Sequence, residues 1–86
     1  MKNKKVLVLN STHDSYEGLY IDGKCVDQYE HLEQGEERLT YFIGMSDKYN
    51  FDLRDVEFKW LTDEDENKLC EIGFFPSDIN ELNGEY

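Results

Sequence analysis

The sequence contains few of the residues that build disulfide-stabilised or metal-stabilised folds. It has two cysteines and one proline among 86 residues. Cys25 and Cys70 lack the Cys-x-x-Cys or Cys/His spacing of a zinc site, so we predict neither zinc nor a disulfide framework. The apolar run from Val6 to Leu9 is too short for a signal peptide or a membrane span, and a cytoplasmic protein is the default expectation.

Positive charge is also scarce. Nine Lys and Arg residues stand against 20 Asp and Glu residues, which gives a formal net charge of −11. Three of the nine cations lie in the first five residues, so positions 6–86 carry six cations, 20 acids and a net charge of −14. A domain with this negative charge repels phosphate groups, so we expect no direct binding of nucleic acid or of an anionic membrane. The expected partner is positively charged, either a basic protein or a cation.

Signatures of catalysis and of cofactor binding are absent. The chain has no glycine-rich phosphate loop, no His-Glu-x-x-His and no Gly-x-Ser-x-Gly. His13 and Asp14 are neighbours in a polar run that is typical of a turn, whereas a nucleophile and its base converge from separate elements. The acidic run 63–66 lacks the alternate spacing and the central glycine of an EF-hand calcium loop. We therefore predict no enzymatic activity, no metal and no cofactor.

Large apolar side chains are well represented. Hydrophobic residues make up 38% of the sequence and include six Tyr, five Phe and one Trp. This is enough apolar surface for one folded domain spanning residues 1–86. The continuously apolar segment from Val6 to Leu9 predicts a first strand in the middle of a sheet, covered on both faces. The polar residues 10–15 that follow predict a loop.

A β-hairpin is the most specific local prediction. Asp22-Gly23 supplies the two positive-φ positions of a type I′ turn between a second and a third strand. A two-residue loop pairs Ile21 with Lys24, Tyr20 with Cys25, and Leu19 with Val26. The resulting alternation predicts one face with Leu19, Ile21 and Val26, and an opposite face with Tyr16, Tyr20, Cys25 and Tyr29.

Two helices and a fourth strand follow. Apolar residues recur at helical spacing after Gly35 and predict a helix that stops at Asn50; its expected inward stripe is Leu39, Phe42, Ile43, Ser46 and Tyr49. The period-2 alternation of Val56, Phe58 and Trp60 predicts a strand with these large residues turned inward. Thr62 as N-cap and Gly73 as C′ residue predict a second helix over positions 63–72, with Leu69 and Ile72 as its apolar edge.

The order of elements predicts an α+β fold. A right-handed crossover through the first helix places strand 4 parallel to strand 1 and gives a mixed four-stranded sheet of order 3-2-1-4. This succession, over residues 4 to 72, resembles the opening part of ribonuclease H-like and actin-like domains. Those domains usually hold a metal with an acid at the end of the first strand, where this chain has Asn10. The resemblance implies an alternative function, a metal-dependent enzyme fragment with Asp14 or Asp63 as its best candidate ligands.

The spread of acidic residues supports the leading hypothesis, a small protein-interaction module. Carboxylates along helices and loops can present spaced negative charge that resembles a nucleic-acid backbone, as in phage-type inhibitors that block a basic nucleic-acid-binding protein. An acidic surface that only keeps the protein soluble, or a regulatory or structural subunit, are the alternatives. The predicted partner-binding residues are Glu30, Glu33, Glu36, Glu37, Asp47, Asp52, Asp55, Asp63, Glu64, Glu66 and Glu71, with Tyr41 and Tyr49 as aromatic anchors. The oligomeric state is left open.

Overall fold

The computed structural model describes residues 4–11, 16–30 and 35–86 and shows a sheet with helices on both faces. The strands run in the order β3-β2-β1-β4, with β1 antiparallel to β2 and parallel to β4. The predicted α+β class and strand order are therefore confirmed. The elements are β1 (Val6–Asn10), β2 (Tyr16–Ile21), β3 (Lys24–Glu30), α1 (Glu36–Tyr49), β4 (Val56–Trp60) and α2 (Asp63–Ile72), with 3-10 turns at Leu53–Asp55 and Ile79–Glu81.

The central strand β1 divides the core into two layers. All five of its residues are buried, because alternate side chains point to opposite faces and each face is covered. Leu7 and Leu9 belong to the cluster that contains Leu69 of α2. Val6 and Val8 belong to the cluster that contains Phe42 of α1. We call these two sides of the sheet the α2 face and the α1 face.

The ends of both helices lie where the sequence predicts them. Asn50 ends α1 in the left-handed conformation, with φ 57°, and its N–H donates to the carbonyl of Ser46. The Thr62 hydroxyl accepts a hydrogen bond from the N–H of Asp65 and caps α2. Gly73 ends α2 with φ 81°, a conformation that glycine adopts without a Cβ penalty.

The hairpin turn forms as predicted. Asp22 and Gly23 both have positive φ, at 51° and 85°. The two pairs nearest the turn, Ile21 with Lys24 and Tyr20 with Cys25, are confirmed.

Beyond those two pairs the predicted register is wrong, because a β-bulge interrupts the ladder. Leu19 lies opposite Asp27 rather than Val26. One extra residue on β3 reverses the alternation of the side chains that follow it. Tyr29 therefore packs on the α1 face, opposite to the face predicted for it.

Helix α1 is rotated relative to its predicted apolar stripe. Phe42 is buried as expected, but Leu39 and Ile43 are 56% and 45% exposed. Tyr41 and Met45 pack on the sheet in their place. The hydroxyl of Tyr41 bonds to Asp27 of β3 at 2.7 Å, and a polar contact of this kind fixes which side of the helix faces the sheet.

Strand β4 is less covered than its alternation predicts. Phe58 is 51% exposed and Trp60 is 64% exposed, although both lie on the same side of the strand as the packed residue Val56. The ring of Phe42 reaches Phe58 at 5.8 Å between centroids. Among the described residues, β4 pairs only with β1, so it is an edge strand at the limit of the helical cover.

Residues 74–86, which we call the C-terminal segment, return along the start of β3. The N–H of Cys25 donates to the Ser77 carbonyl at 2.8 Å, and the N–H of Ile79 donates to the Gly23 carbonyl at 2.9 Å. Phe75 is 1% exposed, and its ring lies so close to Gly18 that a Cβ there would approach it to 2.8 Å. The neighbouring Phe74 is exposed, and so is Ile72, which was predicted as part of the apolar edge of the second helix.

Candidate interaction surfaces

The acidic residues of the α2 face are concentrated in the last third of the chain. From Leu61 to Tyr86 the sequence has eight acids and one cation, Lys68. The ammonium of Lys68 donates to the backbone carbonyl of Glu81. We define the acidic surface as the five exposed carboxylates Asp63, Glu64, Glu71, Glu81 and Glu85; within the described part of the chain, none of the five forms an ion pair.

A buried carboxylate holds the C-terminal part of this surface in place. Asp65 is 0% exposed and accepts hydrogen bonds from the N–H groups of Asn83 and Gly84 at 2.7 and 2.8 Å. It also accepts from the hydroxyl of Tyr86 at 2.5 Å. These bonds bring the C-terminal segment against the first turn of α2. Glu81 and Glu85 thereby join Asp63 and Glu64 in one acidic surface, although the two pairs are about twenty residues apart in sequence.

The protonation of Asp65 reflects this environment. Burial alone would raise its pKa, but the hydrogen bonds from Tyr86, Asn83 and Gly84 outweigh burial and hold the pKa below its ordinary value. Burial, together with the hydrogen bond to Asp65, raises the pKa of the Tyr86 hydroxyl. The C-terminal segment is therefore bound by a carboxylate that remains ionised at neutral pH.

Glu66 occupies a different position from the one predicted for a partner-binding residue. It is 2% exposed, and its Oε1 accepts a hydrogen bond from the Ser11 hydroxyl at 2.5 Å. The side chain thus joins α2 to the end of β1 and does not contribute a carboxylate to the surface. The remaining acids of the predicted set on α2, Asp63, Glu64 and Glu71, are exposed.

The predicted partner-binding residues do not form one continuous group. Glu36, Glu37 and Asp47 are exposed on α1, which lies on the opposite side of the sheet from α2. The other predicted acids are placed between elements: Glu30 is exposed at the end of β3, Asp52 pairs with Arg54 at 2.9 Å, and Asp55 is half-buried in a 3-10 turn. Glu33 lies outside the described residues.

The two predicted aromatic anchors are held within the protein. The ring of Tyr41 packs against that of Tyr29 at 4.7 Å, and burial together with its hydrogen bond to Asp27 raises the pKa of its hydroxyl. Tyr49 packs against the α1-face cluster, and its carbonyl accepts a hydrogen bond from Lys4 Nζ at 2.6 Å. Neither ring stands free on the surface.

Five of the seven exposed large apolar side chains in the described residues lie on α1, on β4 or on the 3-10 turn between them. We define the apolar patch by its five exposed members, Leu39, Ile43, Leu53, Phe58 and Trp60. Leu39, Leu53 and Phe58 line a groove of about 310 Å³ together with Phe42 and Val56. The sequence could have indicated this patch, because the predicted order 3-2-1-4 already makes strand 4 an edge strand with one neighbour.

A buried ion pair lies beneath the patch. Arg38 Nη1 is 3.1 Å from Oε2 of Glu17, and the side chain of Glu17 is 1% exposed. The guanidinium of Arg38 also lies over the rings of Phe42 and Phe58, at 5.4 and 5.2 Å from their centroids. Such cation–π contacts stabilise aromatic rings that solvent can reach on one side.

Two of the positions relevant to the alternative metal site, Asn10 and Asp63, lie in the part of the chain that the structure describes. The Asn10 side-chain amide donates to the Lys59 carbonyl at 3.2 Å, Asp63 is exposed at the start of α2, and Asp14 lies outside the described residues. Within positions 4–11, 16–30 and 35–86, no group of three or more His, Cys, Asp or Glu side chains is arranged to hold a metal ion.

Neither helix in this part of the chain has the length and apolar character that crossing a membrane requires.

No family model, no curated protein and no solved structure matches this chain. Its function is therefore inferred from its own residues and their geometry.

Proposed function

We propose that this chain is a protein-interaction module, not an enzyme, and that its acidic surface binds a basic protein. The observation that carries the proposal is the group of five exposed carboxylates on the α2 face without an ion-pair partner in the described part of the chain. A group of carboxylates without neighbouring cations attracts a basic partner over several ångströms and accelerates its association.

The partner class we favour is a nucleic-acid-binding protein with a basic groove. Such a groove is built to accept spaced negative charges, and Asp63, Glu64 and Glu71 present carboxylates at both ends of one helix. A phage-type inhibitor that mimics nucleic acid would act in this way. No cofactor takes part, and direct contact with nucleic acid or with a membrane is opposed by the charge of −11.

Hydrogen bonds also hold the backbone beneath the acidic surface in place, which favours tight binding. Thr62 caps the helix that carries it, and Asp65 fixes the backbone of Asn83 and Gly84 between Glu81 and Glu85. Groups held in place before association lose less conformational entropy when a partner binds. Cys25 and Cys70 are thiols and do not form a disulfide with each other. Thiols are typical of a reducing compartment, and we infer a cytoplasmic location on that ground.

The test is retention of cellular proteins on the immobilised chain at about 50 mM and about 500 mM salt, since charge-driven binding weakens steeply between these conditions. We expect basic nucleic-acid-binding proteins to be retained at low salt and to be eluted by added duplex DNA. A variant with Asp63→Asn, Glu64→Gln and Glu71→Gln should lose most of this retention.

The matched control neutralises the same number of acids on the other side of the sheet, through Glu36→Gln, Glu37→Gln and Asp47→Asn. We expect this variant to retain the partner. Equal loss in both variants would show that only net charge matters and would contradict an acidic surface on the α2 face. Retention that ignores salt or competing DNA would contradict charge-driven mimicry.

A further inference from the structure

The outer edge of β4 exposes backbone groups that are not paired within the described residues. The N–H of Leu61 donates to the Asn10 carbonyl at 3.0 Å, so the backbone of Leu61 is turned toward β1. Backbone direction alternates along a strand with the same period of two as the side chains. The N–H and C=O groups of Phe58 and Trp60 therefore point away from β1, toward an additional strand.

Those same residues contribute the most exposed aromatic side chains of the α1 face. Phe58 is 51% exposed and Trp60 is 64% exposed, and the groove between α1 and β4 opens beside them. An edge strand with exposed apolar side chains is a site where another strand is added. By contrast, the start of the opposite edge strand, β3, is partly covered by backbone hydrogen bonds to the C-terminal segment.

The sequence of β4 is complementary to itself in the antiparallel direction. The strand reads Val56-Glu57-Phe58-Lys59-Trp60. When two copies pair antiparallel about Phe58, Glu57 of each copy lies opposite Lys59 of the other. Opposite charges at facing positions stabilise a strand pair, and the two aromatic rings of Phe58 lie side by side.

The same register fills the groove. Trp60 of one copy lies opposite Val56 of the other, and Val56 lines the groove with Leu53 and Leu39. Because directly opposed residues lie on one face of a sheet, the indole of each copy is placed against the apolar patch of its partner. A buried Trp in an apolar groove is a frequent anchor of protein interfaces.

We propose that a second copy of this chain is the occupant of this edge, and that two copies join their β4 strands antiparallel into one eight-stranded sheet. The arrangement is a two-fold symmetric interface in which each surface meets its own duplicate. It turns both α1 helices to one side and both acidic surfaces to the other. The inference does not depend on the proposed binding of a basic protein.

The first test is the mass of the full chain by sedimentation equilibrium between about 1 µM and about 500 µM, a range that covers the affinities of weak and moderate homodimers. We expect the mass to rise from 10.2 kDa toward twice that value. Trp60 is the single tryptophan of the chain, so its emission should shift to shorter wavelength over the same concentration range.

Charge exchange then tests the register. Glu57→Lys alone or Lys59→Glu alone places like charges at both symmetric positions, and each should weaken the dimer on the order of tenfold. An equal mixture of these two variants should form a heterodimer, and the double variant Glu57→Lys/Lys59→Glu should recover the homodimer. Both side chains are exposed, at 58% and 40%, so the folded state should tolerate the changes; thermal melting checks this.

A matched pair of aromatic substitutions tests the groove. Trp60→Ala should abolish the rise in mass, whereas Phe74→Ala, which removes an aromatic ring of similar exposure outside the patch, should leave it unchanged. A mass that stays at 10.2 kDa overturns the proposal, as does a dimer that is insensitive to the single charge changes. Monomers that bind an extended lysine-rich peptide at β4 would also overturn it, in favour of a different strand as the occupant.

Discussion

The two faces of the sheet use buried polar groups in opposite ways. On the α2 face, the buried Asp65 binds the backbone of the C-terminal segment and draws acidic residues together at the surface. On the α1 face, the Glu17–Arg38 pair and the hydrogen bond from Tyr41 to Asp27 fix the rotation of a helix. The first arrangement gathers charge on the surface, and the second leaves apolar residues exposed.

The contrast shows that a hydrophobic pattern and a polar contact can demand different orientations of one helix. Helix α1 could bury Leu39 and Ile43 by rotating, but such a rotation would withdraw Arg38 and Tyr41 from their acidic partners. Separating a buried carboxylate from a neighbouring cation costs more free energy than exposing a leucine. The polar contacts therefore determine the orientation, and the apolar patch follows from it.

The largest expected effect tests the ion pair that orients α1. Arg38→Met keeps an apolar stem over the rings of Phe42 and Phe58 but removes the cation beside Glu17. We expect the free energy of unfolding to fall by about 3 kcal/mol, because a carboxylate that is 1% exposed loses the guanidinium 3.1 Å from it. Urea denaturation measures this difference.

The control for this prediction is Arg54→Met, since Arg54 is 88% exposed in its pair with Asp52, and its midpoint of unfolding should not change. Adding Glu17→Gln to Arg38→Met should recover much of the lost stability. If the double variant is as unstable as Arg38→Met alone, the pair does not orient the helix in the way described.

A smaller effect is expected on the α2 face from Asp65→Asn. The amide retains one acceptor oxygen but loses the charge that binds Asn83, Gly84 and Tyr86, and the free energy of unfolding should fall by about 2 kcal/mol. Asp63→Asn, two positions earlier and exposed, should cost only about 0.5 kcal/mol through the helix dipole. Equal costs would show that the position of the carboxylate in the first turn of α2 is unimportant.

The stabilisation that Asp65 provides has a defined pH dependence. The pKa of Asp65 is lower in the folded protein than in the unfolded chain, so its stabilisation is fully present above the unfolded pKa of about 4. That stabilisation is lost as the pH falls through the folded pKa. The difference in stability between wild type and Asp65→Asn should therefore shrink below about pH 4, as measured by urea denaturation from pH 7 to pH 2. A difference that stays constant over this range would contradict an ionised Asp65.

The smallest expected effect concerns the apolar residues of α1 that are exposed to solvent. Leu39→Gln and Ile43→Gln should each change the free energy of unfolding by less than about 0.5 kcal/mol, as expected of surface positions. Had the predicted stripe faced the core, each change would cost about 2 to 5 kcal/mol. Thermal denaturation of the two single variants distinguishes these orientations.

Much of the architecture could be predicted because its signals are local. Asp22-Gly23 specifies its turn through the backbone conformations that these residues accept, and Thr62 and Gly73 specify the two ends of α2 in the same way. The apolar run at Val6 predicts a central strand, and the handedness of the crossover then predicts the strand order. None of these inferences requires knowledge of which distant side chains meet.

Predicting the candidate surfaces requires knowing which distant side chains meet, and these surfaces were predicted less well than the architecture. The acidity of the region around α2 could be read from composition, but the burial of Glu66 and the arrival of Glu81 and Glu85 beside the helix could not. Tyr41 and Tyr49 were predicted as surface anchors on their residue type, and the structure packs both against neighbouring elements. The exposed aromatic residues were instead Phe58 and Trp60 of β4, together with Phe74. Alternation alone predicted inward positions for the two on β4.

The sequence by itself determined the elements, their ends and the order of the strands, since these depend on backbone preferences and on periodicity within short segments. Only the tertiary structure decided which face each side chain occupies. A single inserted residue in β3 turned Tyr29 to the α1 face, polar contacts selected the rotation of α1, and Asp65 joined the two ends of the acidic surface. These outcomes depend on contacts between residues distant in sequence. At such contacts, the free energy gained by satisfying a buried polar group exceeds the preference that the hydrophobic pattern of a short segment expresses.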